Sequence, residues 1–450
     1  MKTRFTAGAL FGAALLLWAT GAAAAEDSGV VAAKARSGTF LDFLGKRSTG
    51  ASGRGAQAKA VTRPNAAASS AQVISSANAA AASGGLPLWT FKVRSSRDGN
   101  VYQGAMVGTS PFSNPRSTSV PAVVVPVVFH LHSVATAISA TTGAVTTAPG
   151  HYTASPTAHD RECLSAPNNE PARILLQSPL FNSVPFSFGG TSLGTTQYID
   201  AVQRGNFYYA NPSVPGSYHL LFSPVNRVEA LEIDVPADEG VAIPSALIDA
   251  TFGVGPAGPG CGTLGLVDID WFDQLLNAQA IPQLAVEAGV SPANLPIFLL
   301  YNTVLGGPPT VGFGDCCIGG YHSSGGFPTP TQTYAVTDFD TTGEFGVAFA
   351  NTAVIAHELG EWANDPFGIN LVAPWGDTGQ VSGCQGNLEV GDPLTGTVIP
   401  AVTGANGFTY DLQELAFFSW FQGAPSIAIN GWFSVNGTFT NDAGPPCSLQ

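Results

Sequence analysis

The chain has 450 residues, with 31 acidic against 17 basic side chains and a formal net charge of −14. No lysine or arginine follows Arg227, so the C-terminal half is wholly acidic: it repels nucleic acid and anionic membranes, which excludes a nucleic-acid role, and it attracts cations, calcium among them. Beyond the N-terminal segment, no apolar run is long enough to cross a bilayer.

Lys2 and Arg4 precede an apolar run from Ala9 to Ala19 and the small residues Gly21 to Ala25. This is the pattern of a secretory signal peptide over residues 1–25, and its apolar core is too short for a membrane span. The expected product is exported, extracellular or periplasmic. In that setting Cys163, Cys261, Cys316, Cys317, Cys384 and Cys447 read as a disulfide set whose pairing the sequence leaves open. Residues 26–85, rich in Ala, Ser and Gly, cannot bury a core and read as a low-complexity leader or propeptide.

From residue 86 to 450 the expectation is a single α+β domain, with a β-rich part over 86–235 and the metal-binding helix in 236–450. Leu88–Val93 alternates as a strand does. Ala122–His132 reads as a buried strand ending in His130 and His132, which share a face; a metal pair there competes with simple solvation of the strand end. A short helix is expected around 196–207 and a longer one at Asp268–Ala280, with Trp271, Leu275 and Leu276 facing the core. Pro282 should end that helix and open a second one reaching Ala288. Leu295–Tyr301 reads as a buried strand, 306–326 as turn-rich, 331–336 as a strand, and Leu412–Phe421 as a last amphipathic helix.

Metal-binding side chains occur at helical spacing in the stretch 350–366, where Asn351 can cap a helix and Pro366 end it. His357 and Glu361, at i and i+4, project from one face, and Glu358 lies beside them. A carboxylate next to a metal-bound water can take its proton, as in the H-E-x-x-H metalloproteases. Here a glutamate replaces the second histidine, which donates charge to the metal and raises the pKa of its water. The bland alternative is a surface i,i+4 pair. Glu389 and Asp392 are the candidates for a third ligand, with Gly391 between them permitting a tight turn. The longer Glu389 is the favoured ligand, and Asp392, before Pro393, the group that fixes the turn or accepts a hydrogen bond from His357. Asp365 lies ~12 Å along the helix from His357, too far to share an ion. His322 and Tyr321 are candidate oxyanion donors or supporting groups, against a polar loop packed on a disulfide. Asn436-Gly-Thr438 is a glycosylation sequon.

These residues carry a family resemblance. The string H-E-L-x-E, then proline, tryptophan, aspartate and E-x-G-D, is met here at His357, Glu358, Leu359, Glu361, Pro366, Trp375, Asp377, Glu389, Gly391 and Asp392. It resembles the secreted EXORDIUM or phosphate-induced proteins of plants and their zincin-like bacterial and fungal relatives, and the Cys- and His-containing stretch 317–325 resembles the loop preceding the helix in that family. The match covers about the last third of the chain. It implies a zincin-like fold and a metal site, with the third ligand left open by the segment 379–387 that separates Asp377 from E-x-G-D. Two functions follow as expectations. One is a secreted zinc metallopeptidase-like hydrolase of peptide or protein substrates, with Glu358 as general base. The other is a non-catalytic secreted or cell-surface binding protein with a structural cation, zinc or calcium, which the two carboxylate ligands favour by neutralising a divalent ion.

Overall fold

The computed structural model describes residues 84–449 except 161, 165–168, 256–257 and 326–331, together with 4–5, 75 and 77–78. The signal-peptide and leader readings lie outside the described residues at all but those few positions. The architecture is mixed α and β and is dominated by a 12-stranded sheet.

The spine of that sheet is the strand Ser117–Ile138, whose 22 residues serve different neighbours along their length. Its first half pairs in parallel with His219–Arg227 and with Leu295–Tyr301, and its second half in parallel with Leu231–Val235 and antiparallel with Val145–Ala154. Beyond Leu295–Tyr301 come Gln332–Phe339, parallel, and then Gly320–Gly325, antiparallel, at the end of the sheet. Strands from residues before and after 235 thus share one sheet.

Parallel strands covered on both faces need apolar residues on both, which explains the unbroken apolar runs at 122–129 and 295–301. Val120, Ala122 and Val124 enter one core with Leu295, Ile297 and Leu299, whereas Val123, Val125 and Val127 enter the other with Phe298 and Leu300. The first core is closed by Ile355, Leu359 and Trp362 of the helix Ala353–Asn364 and by Tyr198, Ile199 and Val202 of the helix Tyr198–Asn206. The second is closed by Phe272, Leu276 and Leu284. The sheet is therefore sandwiched between two helical layers, with the H-E-x-x-E helix in one of them.

Three local expectations are corrected. Pro282 does not end its helix: α-helix Ile269–Leu275 passes through a π turn, Leu276–Ala280, into Ile281–Glu287, and the widened turn accommodates the ring and the missing N–H. The turn-rich stretch 306–326 is not turn throughout, because Cys316–Ile318 and Gly320–Gly325 are strands; the first pairs with Leu305 and Gly306, and pairing with Gln332–Thr337 overrides the glycine and serine content of the second. The expected helix at Leu412–Phe421 shrinks to Phe418–Gln422. Upstream of it the backbone is extended, because its hydrogen bonds go to other segments: Ile399 N donates to Leu412 O, Glu414 N to Thr397 O, Ala416 N to Val390 O and Val435 N to Leu415 O.

The six cysteines form Cys163–Cys261, Cys316–Cys317 and Cys384–Cys447. Among the described residues no helix is long and apolar enough to cross a membrane.

Candidate metal centre

All twelve residues of helix Ala353–Asn364 are buried. The edge strand Gly320–Gly325 lies close against it, and this needs Gly320: a Cβ there would sit 2.7 Å from Val336 O and from a Val354 methyl, and 3.0 Å from Glu358 Cγ. Asn351 does not cap the helix. It takes φ 37°, its Oδ1 accepts from Thr352 N (2.6 Å) and Asp411 N (2.9 Å), and its Nδ2 donates to Asp411 Oδ2 (2.6 Å). The residue thereby ties the helix entry to the extended segment that carries Gln413. At the other end the helix stops at Asn364, before Pro366, and the Asp365 carboxylate accepts from Ile369 N (3.0 Å) and Asn370 N (2.8 Å) to close the turn.

Two buried histidines face the same carboxylate from opposite sides. His357 Nε2 lies 3.1 Å from Glu361 Oε1, and His322 Nδ1 lies 3.5 Å from Glu361 Oε2. Each ring is oriented from behind by an acceptor. His322 Nε2 is 2.9 Å from the carbonyl oxygen of Asp365, which can only accept, so Nε2 carries the proton and the Nδ1 lone pair of the neutral ring faces the carboxylates. Gln413 Nε2 donates to Gly391 O (2.7 Å), which turns Gln413 Oε1 toward His357 Nδ1 at 3.1 Å. His357 Nδ1 is then the donor and Nε2 the free lone pair. An imidazole held by an acceptor on its far nitrogen, with its lone pair facing carboxylates, is the arrangement of a metal ligand.

The carboxylates arrive from a second segment. In Leu388-Glu389-Val390 the flanking residues enter an apolar cluster and the glutamate points the other way. Gly391 has an ordinary φ of −86°, so it is not needed for a left-handed turn; a Cβ there would stand 2.5 Å from His357 Cγ, and glycine is needed for close approach. Its N–H, with that of Asp392, donates to Glu361 Oε1 at 3.0 and 3.3 Å. Asp392 Oδ1 lies 3.5 Å from His357 Nε2, and its Oδ2 accepts from Gln385 Nε2 at 2.8 Å. Glu358 Oε2 lies 3.6 Å from His322 Nδ1.

The donors fall into two sets, His357–Glu361–Asp392 and His322–Glu361–Glu389, in each of which the ligand atoms lie within 4.8 Å of one another. With metal–ligand distances of ~2.1 Å, two donors on one ion are separated by ~3.0–3.5 Å. The spacings of 3.1 and 3.5 Å around His357, and of 3.5 Å between His322 Nδ1 and Glu361 Oε2, fit that requirement.

Electrostatics follow from burial without Lys or Arg. Burial pushes the Glu389 carboxyl well above its ordinary value, with Glu361 adding to it, and burial likewise raises Glu358 and Asp392. Glu361 is the exception: burial raises it, but His357 and His322 outweigh that and hold it below the usual range. Both histidines are pulled down by burial and raised further by the carboxylates, ending well above 6.5 in the metal-free protein.

The cluster therefore brings together His357, Glu358, Glu361, Glu389, Asp392 and His322. It places Asp392 with His357, the position expected for Glu389, and Glu389 with His322. Tyr321 points to the other face of its strand, where its hydroxyl donates to Asp273 Oδ1 at 2.7 Å. Asp377 is exposed in its hairpin. His130 and His132 lie elsewhere, beside Glu232 (2.8 Å) and Asp234 (3.3 Å). Sequence reasoning missed Gln413, which no spacing connects to the helix, and did not place His322 among the ligand candidates. No protein-family model matches the chain, and no curated protein or solved structure matches it either.

Proposed function

We propose that the protein is an exported, zincin-like metal-dependent hydrolase acting on peptide bonds. The observation that carries this reading is the pair of buried imidazoles, oriented from behind, whose inner ring nitrogens face Glu361 beside Glu358. His357, Glu361 and Asp392 hold the metal. Imidazole donors favour zinc or iron over calcium, which prefers oxygen. A bound divalent cation supplies Lewis acidity toward a carbonyl and toward water.

The chain's own residues do the rest. Gln413 and Gly391 hold His357 in its ligating tautomer. Glu358, whose carboxyl burial pushes upward, accepts a proton at Oε2, and a raised carboxyl is suited to that exchange nearer neutral pH. The edge strand Gly320–Gly325 has one strand neighbour among the described residues, Gln332–Phe339, and lies against the helix. An edge of this kind can align an extended peptide by main-chain hydrogen bonds, which is the support for the substrate class. Three disulfides suit an oxidising compartment.

A second reading, a non-catalytic protein with a structural cation, is favoured by burial: the side chains of His357, Glu358, Glu361 and Asp392 are only 5–8% exposed. The deciding experiment is a peptide-library assay of the metal-loaded protein and its Glu358→Gln variant. Cleavage by the wild type that Glu358→Gln abolishes at unchanged metal content supports the hydrolase. No cleavage by the loaded wild type leaves the structural cation.

A further inference from the structure

We propose that the centre is dinuclear, with a second divalent cation held by His322 Nδ1, Glu389 and Glu361 Oε2, and with Glu361 bridging it to the ion on His357 and Asp392. The proposal rests on the metal centre of the preceding reading and not on hydrolysis.

Four observations carry it. First, the two donor sets share Glu361 alone, and the two oxygens of that carboxylate are divided between them, Oε1 toward His357 and Oε2 toward His322. A carboxylate presenting one oxygen to each of two ions is a bridging geometry, and bridged ions typically sit ~3.5–4 Å apart. Second, His322 is oriented as carefully as His357. Its Nε2 proton is committed to the Asp365 carbonyl, which leaves Nδ1 facing Glu361 Oε2 at 3.5 Å, a separation that two ligands of one ion keep.

Third, Glu389 Oε2 is buried without any hydrogen-bond partner, although its neighbours Leu388 and Val390 anchor the segment so that this side chain must point at the cluster. A buried carboxylate oxygen without a donor is costly, and a cation in the His322 set supplies what it lacks. Fourth, the charge closes. Ligation by Glu361, Glu389 and Asp392 and base action by Glu358 require all four carboxylates ionised and both imidazoles neutral; no Lys or Arg follows Arg227, and two dications would balance those four charges.

The competing arrangement is a single ion on His357, Glu361 and Asp392, with a protonated His322 standing in for the second. Elemental analysis separates the two, using the full exported chain loaded with Mn2+ or Zn2+ and freed of excess by gel filtration. The dinuclear centre gives about two ions per chain, falling to about one in both His322→Ala and Glu389→Gln, with circular dichroism checking that each variant is folded. The Mn2+ form also gives an exchange-coupled EPR spectrum that turns into an isolated-ion spectrum in those variants. About one ion per chain in the wild type, retained in His322→Ala, overturns the proposal and leaves the mononuclear site standing. Two ions per chain in a protein that cleaves no peptide overturns the hydrolase and leaves the dinuclear centre.

Discussion

Two histidine clusters on this chain use the same residue types to different ends. His130, His132 and His151 gather on the sheet, with His130 and His151 stacked at 6.0 Å and 11° and with Glu232 and Asp234 as acidic neighbours. His322 and His357 gather around Glu361. In the first cluster each carboxylate is spent on one histidine, and side-chain exposure ranges from 17 to 47%, so water screens the charges and the pairs are self-sufficient. In the second the histidines and their carboxylates are 5–8% exposed, several carboxylates converge on each ring, and the far ring nitrogens are held by Asp365 O and Gln413. An ion site is made by convergence and by what stands behind the ligand; histidine plus carboxylate alone is an ion pair.

The contrast can be broken most directly at Glu361. Glu361→Ala removes the donor common to both sets, and metal analysis is expected to show essentially complete loss, whereas His130→Ala leaves the metal content unchanged. Equal metal in wild type and Glu361→Ala would remove the distinction between the clusters. Gly391→Ala comes next, since the added methyl stands 2.5 Å from the His357 ring and must displace it or the Asp392 segment. The expected results are a destabilisation of about 1–3 kcal/mol in chemical denaturation and a loss of metal affinity. An unchanged affinity would show that the ring position is not critical.

Gln413→Leu sharpens the role of the group behind the ligand. It keeps the volume but releases His357 Nδ1, and titration with a competing chelator should show affinity weakened by about 10–100-fold. The pH dependence of the metal-free protein is smaller. Both site histidines have folded pKa values above the ordinary 6.5, so the stability they contribute is fully present below 6.5 and is lost as pH rises through the raised values. After chelator treatment the melting temperature is expected to fall as pH rises above 6.5. The loaded protein should not share that fall, because its ligands are already deprotonated; parallel slopes would contradict this. The smallest effect belongs to the other cluster: Glu232→Gln beside His130 should change stability by no more than ~0.5 kcal/mol, measured by the same denaturation.

What the sequence by itself determined is what depends on neighbours along the chain. Apolar residues at 122–129 and 295–301 announce strands covered on both faces, because only burial on both sides tolerates unbroken apolar runs. His357 and Glu361 fall on one stripe of their helix, with Glu358 beside it, because 3.6 residues make a turn, and Pro366 ends the helix because the residue before it avoids the helical region. Tertiary structure decided the rest. His322 enters the site only because its glycine- and serine-rich segment pairs with Gln332–Phe339 as an edge strand, and Gln413 reaches His357 from 56 residues away only because its segment is held extended by residues 397–399 and 435. Periodicity fixes the side of an element on which a residue lies. The choice of lone pair, of partner carboxylate and of close glycine contact belongs to long-range packing, where hydrogen bonds to distant segments outweigh local propensity.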